Sequence, residues 1–412
     1  MPQIKHLFNK KFATIFFLGI ASGLPLALLL STLKALLVDK GFDIKTIGFV
    51  SLVTLPYSLK IFFAPIIDSC PVPYLTKLLG QRRSWIIITQ IILIIAIALL
   101  GIAGENGDLP LIMLFSFLVA FASASQDTVI DGYRIELVEA KNQGLAASFA
   151  TYGYNIGLLI AGAFALFLSD SISWSVVYFI MSLIMAGGLV VTLLAEETRK
   201  NWQKKDYHFI AWTKNYVLAP IVDFIQKPRW YFILAFIIFF KLGDVFAGTL
   251  TTPFLLELGF TKTEIAGIVK SFGLAATLGG VFVGGYLVKK IGTYKSLWIA
   301  GTAQMLSNLA FSYLAQIGHS DKALCVIIFL ENFSGGIGSS VLVAYLSILC
   351  NIAFSATQYA TLSAFASLSR NLFSSSAGIF AASLGWYKFF IFSTFLAIPG
   401  LVFLLILRKN KD

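Results

Sequence analysis

Cysteine and histidine are scarce in this chain, with three of each in 412 residues. Cys70, Cys325 and Cys350 lie too far apart for metal-ligand spacing and supply no disulfide framework. Three histidines are too few for a histidine-rich site, so no metal is expected. Charge is scarce as well: charged residues make up 12% of the chain, where soluble domains carry roughly 25%. Hydrophobic residues reach 58%, a balance that fits membrane spans rather than two soluble domains. Low-complexity tracts and coiled-coil heptads are missing. No nucleophile–base constellation appears, so an enzyme is not expected. The net charge of +11 does not indicate nucleic acid. The Lys and Arg residues fall in short loops between apolar runs, where they set membrane topology.

What is present is a series of twelve apolar runs, each of roughly 20 residues or more, the length that crosses a bilayer as a helix. They cover about 12–38, 46–67, 84–104, 109–133, 144–169, 174–195, 230–256, 263–288, 296–317, 322–349, 356–383 and 386–407. The first follows Lys5, Lys10 and Lys11, as a signal peptide would, but it is too long for an h-region and lacks a clear cleavage site, so a retained helix is expected. With the N-terminus placed in the cytoplasm, 21 of the 31 Lys and Arg fall inside and 5 outside, the rest lying within runs. That bias predicts both termini inside. The longest loop, 196–229, opens on the charged stretch EETRKNWQKK and continues with mixed aromatic and aliphatic residues. It predicts a cytoplasmic linker with an interfacial helix between a six-helix half at 1–195 and another at 230–412.

An internal repeat supports the division. LVDKGFDIKTIG (37–48) resembles LLELGFTKTEIAG (255–267), and SFATYGYNIGLLIAGAFA (148–165) aligns with AFASLSRNLFSSSAGIFA (364–381) at nearly the same offset. The second match pairs Asn155 with Asn371 and Gly162 with Gly378. Two related six-helix halves follow, as in transporters built from repeats.

A few runs carry charge at depth, and such charges must face protein or a polar path. At ~1.5 Å per residue, Lys241 and Asp244 lie about 16–21 Å into the seventh run. Glu331 and Arg370 lie at similar depth in the tenth and eleventh, Lys60 lies in the cytoplasmic half of the second, and Asp127 and Asp131 lie in the fourth. In QDTVIDGYR, Asp127, Asp131 and Arg134 share one helical face. Either carboxylate is a candidate for a coupled proton, since a like charge and desolvation both raise proton affinity. The alternative is a gate in which Asp131 and Arg134 pair with motif residues such as Arg82 or Arg83. Lys241 and Asp244 either neutralise each other or compete for substrate and proton. Glu331 is a candidate counter-ion for Lys241 or Arg370. Arg370, with no acid nearby in its own run, is the leading candidate for binding an anionic group, because a guanidinium holds carboxylate or phosphate bidentately. Tyr57, Tyr152, Tyr154 and Asn155 offer stacking and hydrogen bonds to a sugar, or simply pack. Ser22-Gly23-Leu24-Pro25 is expected to interrupt the first run. Gly335, Gly336 and Gly338 are expected to allow close helix approach.

Several stretches together carry a family resemblance: FLGIASGLPLAL, KTIGFVSLVTLPYSLKIFFAPIID, GQRRSW, SASQDTVIDGYR, FKLGDVF, LENFSGGIGSS and LCNIAFSATQYATLSAFASLSR. From about residue 15 to residue 405 the chain resembles the AmpG-type muropeptide permeases of Gram-negative inner membranes, in the major facilitator superfamily. The resemblance implies an all-α integral membrane fold of twelve transmembrane helices in two six-helix halves. It implies import of N-acetylglucosaminyl-anhydro-N-acetylmuramyl peptides for peptidoglycan recycling, driven by the proton gradient with no other cofactor. Expected partners are the sugar-peptide substrate, protons and the lipid bilayer, with a monomer as the working unit. The resemblance also implies a cytoplasmic gating motif in the GQRR loop, with Asp68, Arg82, Arg83 and Arg134 as gate residues. Arg370, Lys241, Glu331, Tyr154, Asn155, Asn371 and Lys60 are then the candidates for substrate, and Asp127, Asp131 and Asp244 for the proton. In that arrangement the third, sixth, ninth and twelfth helices face lipid, and these runs carry no interior charge. An acyl-coenzyme A or siderophore-type carrier is the alternative.

Overall fold

The computed structural model describes residues 10–43, 46–47, 50–198, 209–374 and 376–408, and these residues form helices and turns without a strand. Each expected run corresponds to a helix. They are α1 (Lys10–Asp39), α2 (Leu52–Ser69), α3 (Gln81–Asn106), α4 (Leu109–Leu137), α5 (Ala140–Ser169), α6 (Trp174–Leu194), α7 (Trp230–Glu257) and α8 (Gly267–Ile291). Then come α9 (Thr293–Ile317), α10 (Asp321–Leu349), α11 (Ser355–Ser374) and α12 (Ala377–Arg408). Ten of the twelve are both long and apolar enough to cross a membrane. The other two, α9 and α11, have the length but a more polar composition, with Gln304, Ser307 and Asn308 on α9 and Thr357, Gln358 and Ser363 on α11. The eleventh helix ends earlier than expected. Gly385, at φ +73°, breaks α12, close to where the sequence placed the boundary between the last two runs. The linker is helical over 209–225, with a wider π-type turn at Thr213–Leu218, and Trp212 donates its indole N–H to Ser69 Oγ at 2.9 Å.

The helix ends follow local chemistry. Gly107, at φ +67°, closes α3 in the left-handed conformation that glycine adopts without strain. Asp108 then accepts a bond from the backbone N–H of Leu111 at 3.1 Å, starting α4. Ahead of α8, Thr261 and Glu264 make a reciprocal capping box. The Thr261 N–H donates to Glu264 Oε2 at 2.7 Å, and the Glu264 N–H donates to Thr261 Oγ1 at 3.2 Å. The hydrogen bonds from the Thr261 backbone and side chain hold the Glu264 carboxyl below its ordinary range.

The interruption expected at Ser22–Pro25 is not where the chain breaks. α1 remains helical through Pro25 and widens to a π-type turn only at Leu28–Thr32. Proline lacks an N–H, so the Ala21 carbonyl four residues back loses its helical partner. Gln126 replaces that partner, donating its amide to Ala21 O at 2.9 Å. The interrupted helix is α7, where Trp230–Phe239 ends and a new helix starts at Leu242 after a turn at Lys241 (φ −105°, ψ 8°).

Two compact units emerge. The first holds Met1–Ala140, Phe149–Ile221 and Cys350–Ala360. The second holds Lys141–Ser148, Val222–Leu349 and Thr361–Asp412. The units therefore differ from the halves read along the sequence by a reciprocal exchange: each takes the start of one helix, α5 or α11, from the other half of the chain. In the first unit α3 packs along α4 and α6, and in the second α8 packs along α10. Glycine makes the closest approaches possible. A Cβ on Gly153 would overlap the Phe16 carbonyl of α1, and one on Gly23 would overlap the Tyr154 carbonyl of α5. Gly280 and Gly336 bring α8 and α10 together in the same way, as the glycine pattern in the tenth run predicts.

Gly153→Val and Gly280→Val should each lower the thermal unfolding midpoint of the detergent-purified protein, by the equivalent of about 1–3 kcal/mol or more of overpacking. Gly187→Ala, where nothing lies within 4 Å of an added Cβ, should leave the midpoint unchanged or slightly raised.

Candidate functional site

The first unit contains a buried ionic cluster assembled around the GQRR loop. Gly80 turns the chain at φ +84°. Gln81 then donates its amide to the Ile67 and Asp68 carbonyls at 3.0 and 2.9 Å, closing the end of α2. Arg82 is fully buried. Its guanidinium donates to Asp68 Oδ1 at 2.6 Å, to Glu136 Oε1 at 2.7 Å and to Ser355 Oγ at 2.9 Å. Arg83 turns toward the end of α6, donating to the Thr192 and Leu193 carbonyls at 3.1 and 2.5 Å, a favourable place for a cation. Glu197 accepts from the backbone N–H groups of Arg82 and Arg83 at 3.3 and 2.9 Å, a carboxylate at the positive end of α3. Each residue of the motif thus has a separate task.

Asp68 and Glu136 carry the cluster to residues 350–360. Asp68 Oδ2 accepts from the Thr357 N–H at 2.8 Å and from its hydroxyl at 2.7 Å, a carboxylate seated on the first turn of α11. Ser355 donates to Glu136 at 2.6 Å, and Thr198 donates to its other oxygen at 2.8 Å. Arg134 takes another role. It donates to Asp131 at 3.2 Å, and its guanidinium carbon lies 5.1 Å from the centre of the Tyr359 ring, within cation–π range. The alternative pairing of Asp131 with Arg82 or Arg83 gives way to the near neighbour three residues on. Sequence reasoning missed Glu136, Glu197, Ser355 and Thr357. A third acid on the Asp127–Asp131–Arg134 stretch was the one visible signal for Glu136.

A second polar group lies higher on α4, in the same unit. Ser22 donates to Asp127 Oδ1 at 2.5 Å, and Tyr57 donates to Ser123 Oγ at 2.8 Å. Lys60 and Asp131 are both within electrostatic reach of Asp127, and Tyr154 is within reach of Tyr57. Asp127, Tyr57 and Tyr154, read separately as proton and sugar candidates, are therefore neighbours. Asn155 instead donates to the Thr151 carbonyl of its own helix at 2.8 Å, which uses one of its amide donors locally.

The third group belongs to the second unit. Lys241, at the turn inside α7, donates to Ser339 Oγ at 2.6 Å and lies 3.9 Å from Asp244 Oδ2. That separation is long beside the 2.8 Å of the Lys40–Glu105 pair. Asp244 accepts from the Gln304 amide at 3.2 Å. Glu331 accepts from Asn332 at 3.1 Å, and the Asn332 oxygen accepts from Thr277 at 3.1 Å. Both Lys241 and Asp244 remain about one-fifth exposed. Arg370 and Asn371 belong to α11, but their side chains lie outside the described residues. In the internal repeat Arg370 aligns with Tyr154.

A family profile described as Major Facilitator Superfamily matches residues 15–377. The chain is 38% identical over 403 residues to the putative transporter AmpG 4 of Rickettsia felis, covering 97% of this chain and 96% of the relative. It is 37% identical over 402 residues to the anhydromuropeptide permease of Escherichia coli K12, covering 97% and 80% respectively. Among solved structures, the E. coli fucose:proton symporter FucP superposes with a TM-score of 0.71 at 15% identity over 98% of each chain. The human organic anion transporter MFSD10 superposes with 0.69 at 14% identity, over 96% of this chain and 99% of that one. At such identities these two likenesses concern the fold.

Arg82→Met should destabilise the protein strongly, since it strands Asp68 and Glu136 in a buried site, at a cost of roughly 3–5 kcal/mol. Adding Glu136→Gln should recover part of that loss. Thermal unfolding of the single and double variants checks both outcomes.

Proposed function

Because the chain belongs to the major facilitator superfamily, and within it to the AmpG-type permeases, it is a multi-pass membrane transporter and not an enzyme, and we propose that its cargo is an anhydromuropeptide taken up with protons. The single observation that carries the cargo assignment is likeness at 37–38% identity along 97% of the chain. The chemistry of such a cargo suits the side chains on hand. A sugar–peptide offers pyranose faces to Tyr57 and Tyr154, and carboxylates to Lys241 and Arg370. Tyr154 stands near the polar group on α4, and the repeat puts Arg370 at the corresponding place in the second half. That correspondence supports Arg370 as the anion-binding residue, with Glu331, Asn155, Asn371 and Lys60 as further polar contacts.

Proton coupling is assigned to Asp127, with Asp131 and Asp244 as the other carboxylates able to take part. Asp127 accepts a short bond from Ser22 and has Lys60 within reach. Proton transfer to it would weaken its attraction for the lysine and alter its bonding to the hydroxyl, which links protonation to the arrangement of α1, α2 and α4. The Asp68–Arg82–Glu136 cluster is assigned as the gate, because it holds the start of α11 to the first six helices by bonds that can be broken and remade during alternating access. The 21-to-5 distribution of Lys and Arg supports cytoplasmic termini in an inner membrane. The exposed Ile210, Leu218, Ile221 and Ile225 support a linker helix lying on the membrane surface. A monomer driven by the proton gradient, without another cofactor, completes the reading.

The assignment is tested by uptake of labelled N-acetylglucosaminyl-anhydro-N-acetylmuramyl tripeptide into proteoliposomes, with and without an imposed proton gradient. Gradient-dependent accumulation is expected; no uptake under either condition would point to another anionic cargo, such as an acyl-coenzyme A. In the same assay Arg370→Ala should abolish uptake while the protein remains folded, and Arg370→Lys should rescue poorly, since a point charge replaces a planar fork. Asp127→Asn, which imitates the protonated carboxyl, should keep substrate binding and lose gradient-driven accumulation. Accumulation of wild-type pH dependence in Asp127→Asn would move the proton site to Asp131 or Asp244.

A further inference from the structure

Two helices of the first unit widen to π-type turns, α1 at Leu28–Thr32 and α5 at Ile160–Phe164. The two turns touch. Thr32 donates its hydroxyl to the Ala161 carbonyl at 2.5 Å, and a Cβ on Gly162 would meet Ser31 Oγ at 3.6 Å. A turn of this kind absorbs one residue beyond the helical register, so the side chains after it are rotated by about 100° around the axis. Lys34 lies just past the turn in α1, twelve residues beyond Ser22. In an uninterrupted helix it would stand about 120° around the axis from Ser22, and with one residue absorbed the angle falls to about 20°. The turn thus brings Lys34 onto the face of α1 that carries Ser22, which donates to Asp127 Oδ1. Lys34 is exposed, and among the described residues it has no hydrogen-bond or ion-pair partner. Two acids at the same end of the unit are engaged elsewhere, Glu105 with Lys40 at 2.8 Å and Asp39 with the Trp174 indole at 3.1 Å.

We propose that Lys34 is a further cargo-binding residue, which holds a carboxylate of the peptide stem while the sugars lie against the polar group of Ser22, Tyr57 and Asp127. The inference deepens the cargo reading above and rests on it. A lysine inside an apolar run is tolerated where it faces a polar path or reaches the membrane surface. Reaching the surface needs only nearness to the helix end, whichever face the lysine is on. Placement on the Ser22 face is a stricter condition, and the π-type turn meets it. The spacing fits the cargo as well. Lys34 stands about 18 Å along α1 from Ser22 at ~1.5 Å per residue. An extended tripeptide stem reaches about 10 Å, and the two sugar rings span the rest. Lys60 lies within electrostatic reach of Asp127, so Lys60 and Lys34 stand at opposite ends of the bound molecule. An ammonium on a flexible stem suits a peptide carboxylate whose position varies, because it binds as a point charge rather than as a planar fork. Lys34 then sets the preference for peptide-bearing cargo over the bare disaccharide.

Two labelled probes separate this inference from the reading it rests on: N-acetylglucosaminyl-anhydro-N-acetylmuramyl tripeptide, and the same disaccharide without its peptide. Each is titrated onto the full-length protein in detergent, with the thermal midpoint measured in parallel. The wild-type protein should bind the peptide-bearing probe more tightly. Lys34→Met should weaken that binding about tenfold, the loss of one charge-assisted bond, while affinity for the bare disaccharide and the midpoint stay as they were. Lys34→Arg should keep most of the affinity, and Lys34→Glu should lose more than Lys34→Met because it repels the stem. Wild-type affinity for both probes in Lys34→Met would overturn the inference and leave the lysine as a surface anchor. Equal weakening for both probes would also overturn it, since the contact would not be with the stem. Either result leaves the cargo reading standing. Failure of the wild-type protein to bind either probe would overturn the cargo reading and this inference with it.

Discussion

A guanidinium removed from water is tolerated only when carboxylates and hydroxyls take over the bonds water made. Arg82 shows how this chain meets most of that demand, its Nη1 finding no partner among the described residues. Its side chain is fully buried, and Asp68, Glu136 and Ser355 surround it. Because Asp68 also holds the first turn of α11, one cation organises the ends of four helices: α2, α3, α4 and α11. The placement of residues 350–360 within the first compact unit follows from those bonds. A structure built this way is firm while the cluster is complete.

The same constraint acts on the backbone. An apolar surrounding offers no water to a carbonyl that has lost its helical donor. Pro25 creates such a carbonyl at Ala21, and Gln126 satisfies it. That leaves the next residue along α4, Asp127, to meet Ser22 of α1. A helix defect in α1 is therefore coupled to the position of a carboxylate on α4. In the second unit the defect lies in α7 itself, where the turn at Lys241 breaks the helix and presents a lysine and an aspartate to Ser339 and Gln304. Both units place ionisable groups beside irregular backbone, but with different residues.

Close helix packing sets the geometry of these groups. Glycines on α1, α5, α8 and α10 permit backbone contact, which gains dispersion where lipid offers no hydrophobic drive for association. The glycines at 243 and 338 do something more specific, opening room for the amides of α9. The expectation that α9 faces lipid rested on its lack of charge, and a search for charged residues passes over the uncharged amides on its buried side. Gln304 could have been noticed as one of the few amides in the twelve runs, but its orientation depends on the rotation of α9 about its axis, and that is decided by packing.

The sequence by itself determined the twelve helical runs, the six-plus-six repeat, the topology bias and the family. Each depends on local composition, run length or direct similarity, which require no knowledge of which helices touch. Only the tertiary structure decided which charges meet. Asp68 reaches Thr357 across 289 residues, Ser22 reaches Asp127 across 105, and Gln304 reaches Asp244 across 60. It also decided that α1 runs on through Pro25 while α7 breaks at Lys241. A proline is visible in the chain, but whether its orphaned carbonyl finds a donor depends on the neighbouring helix. Partner choice in an apolar bundle is set by helix rotation and by small residues at the contacts, properties that arise when the helices pack.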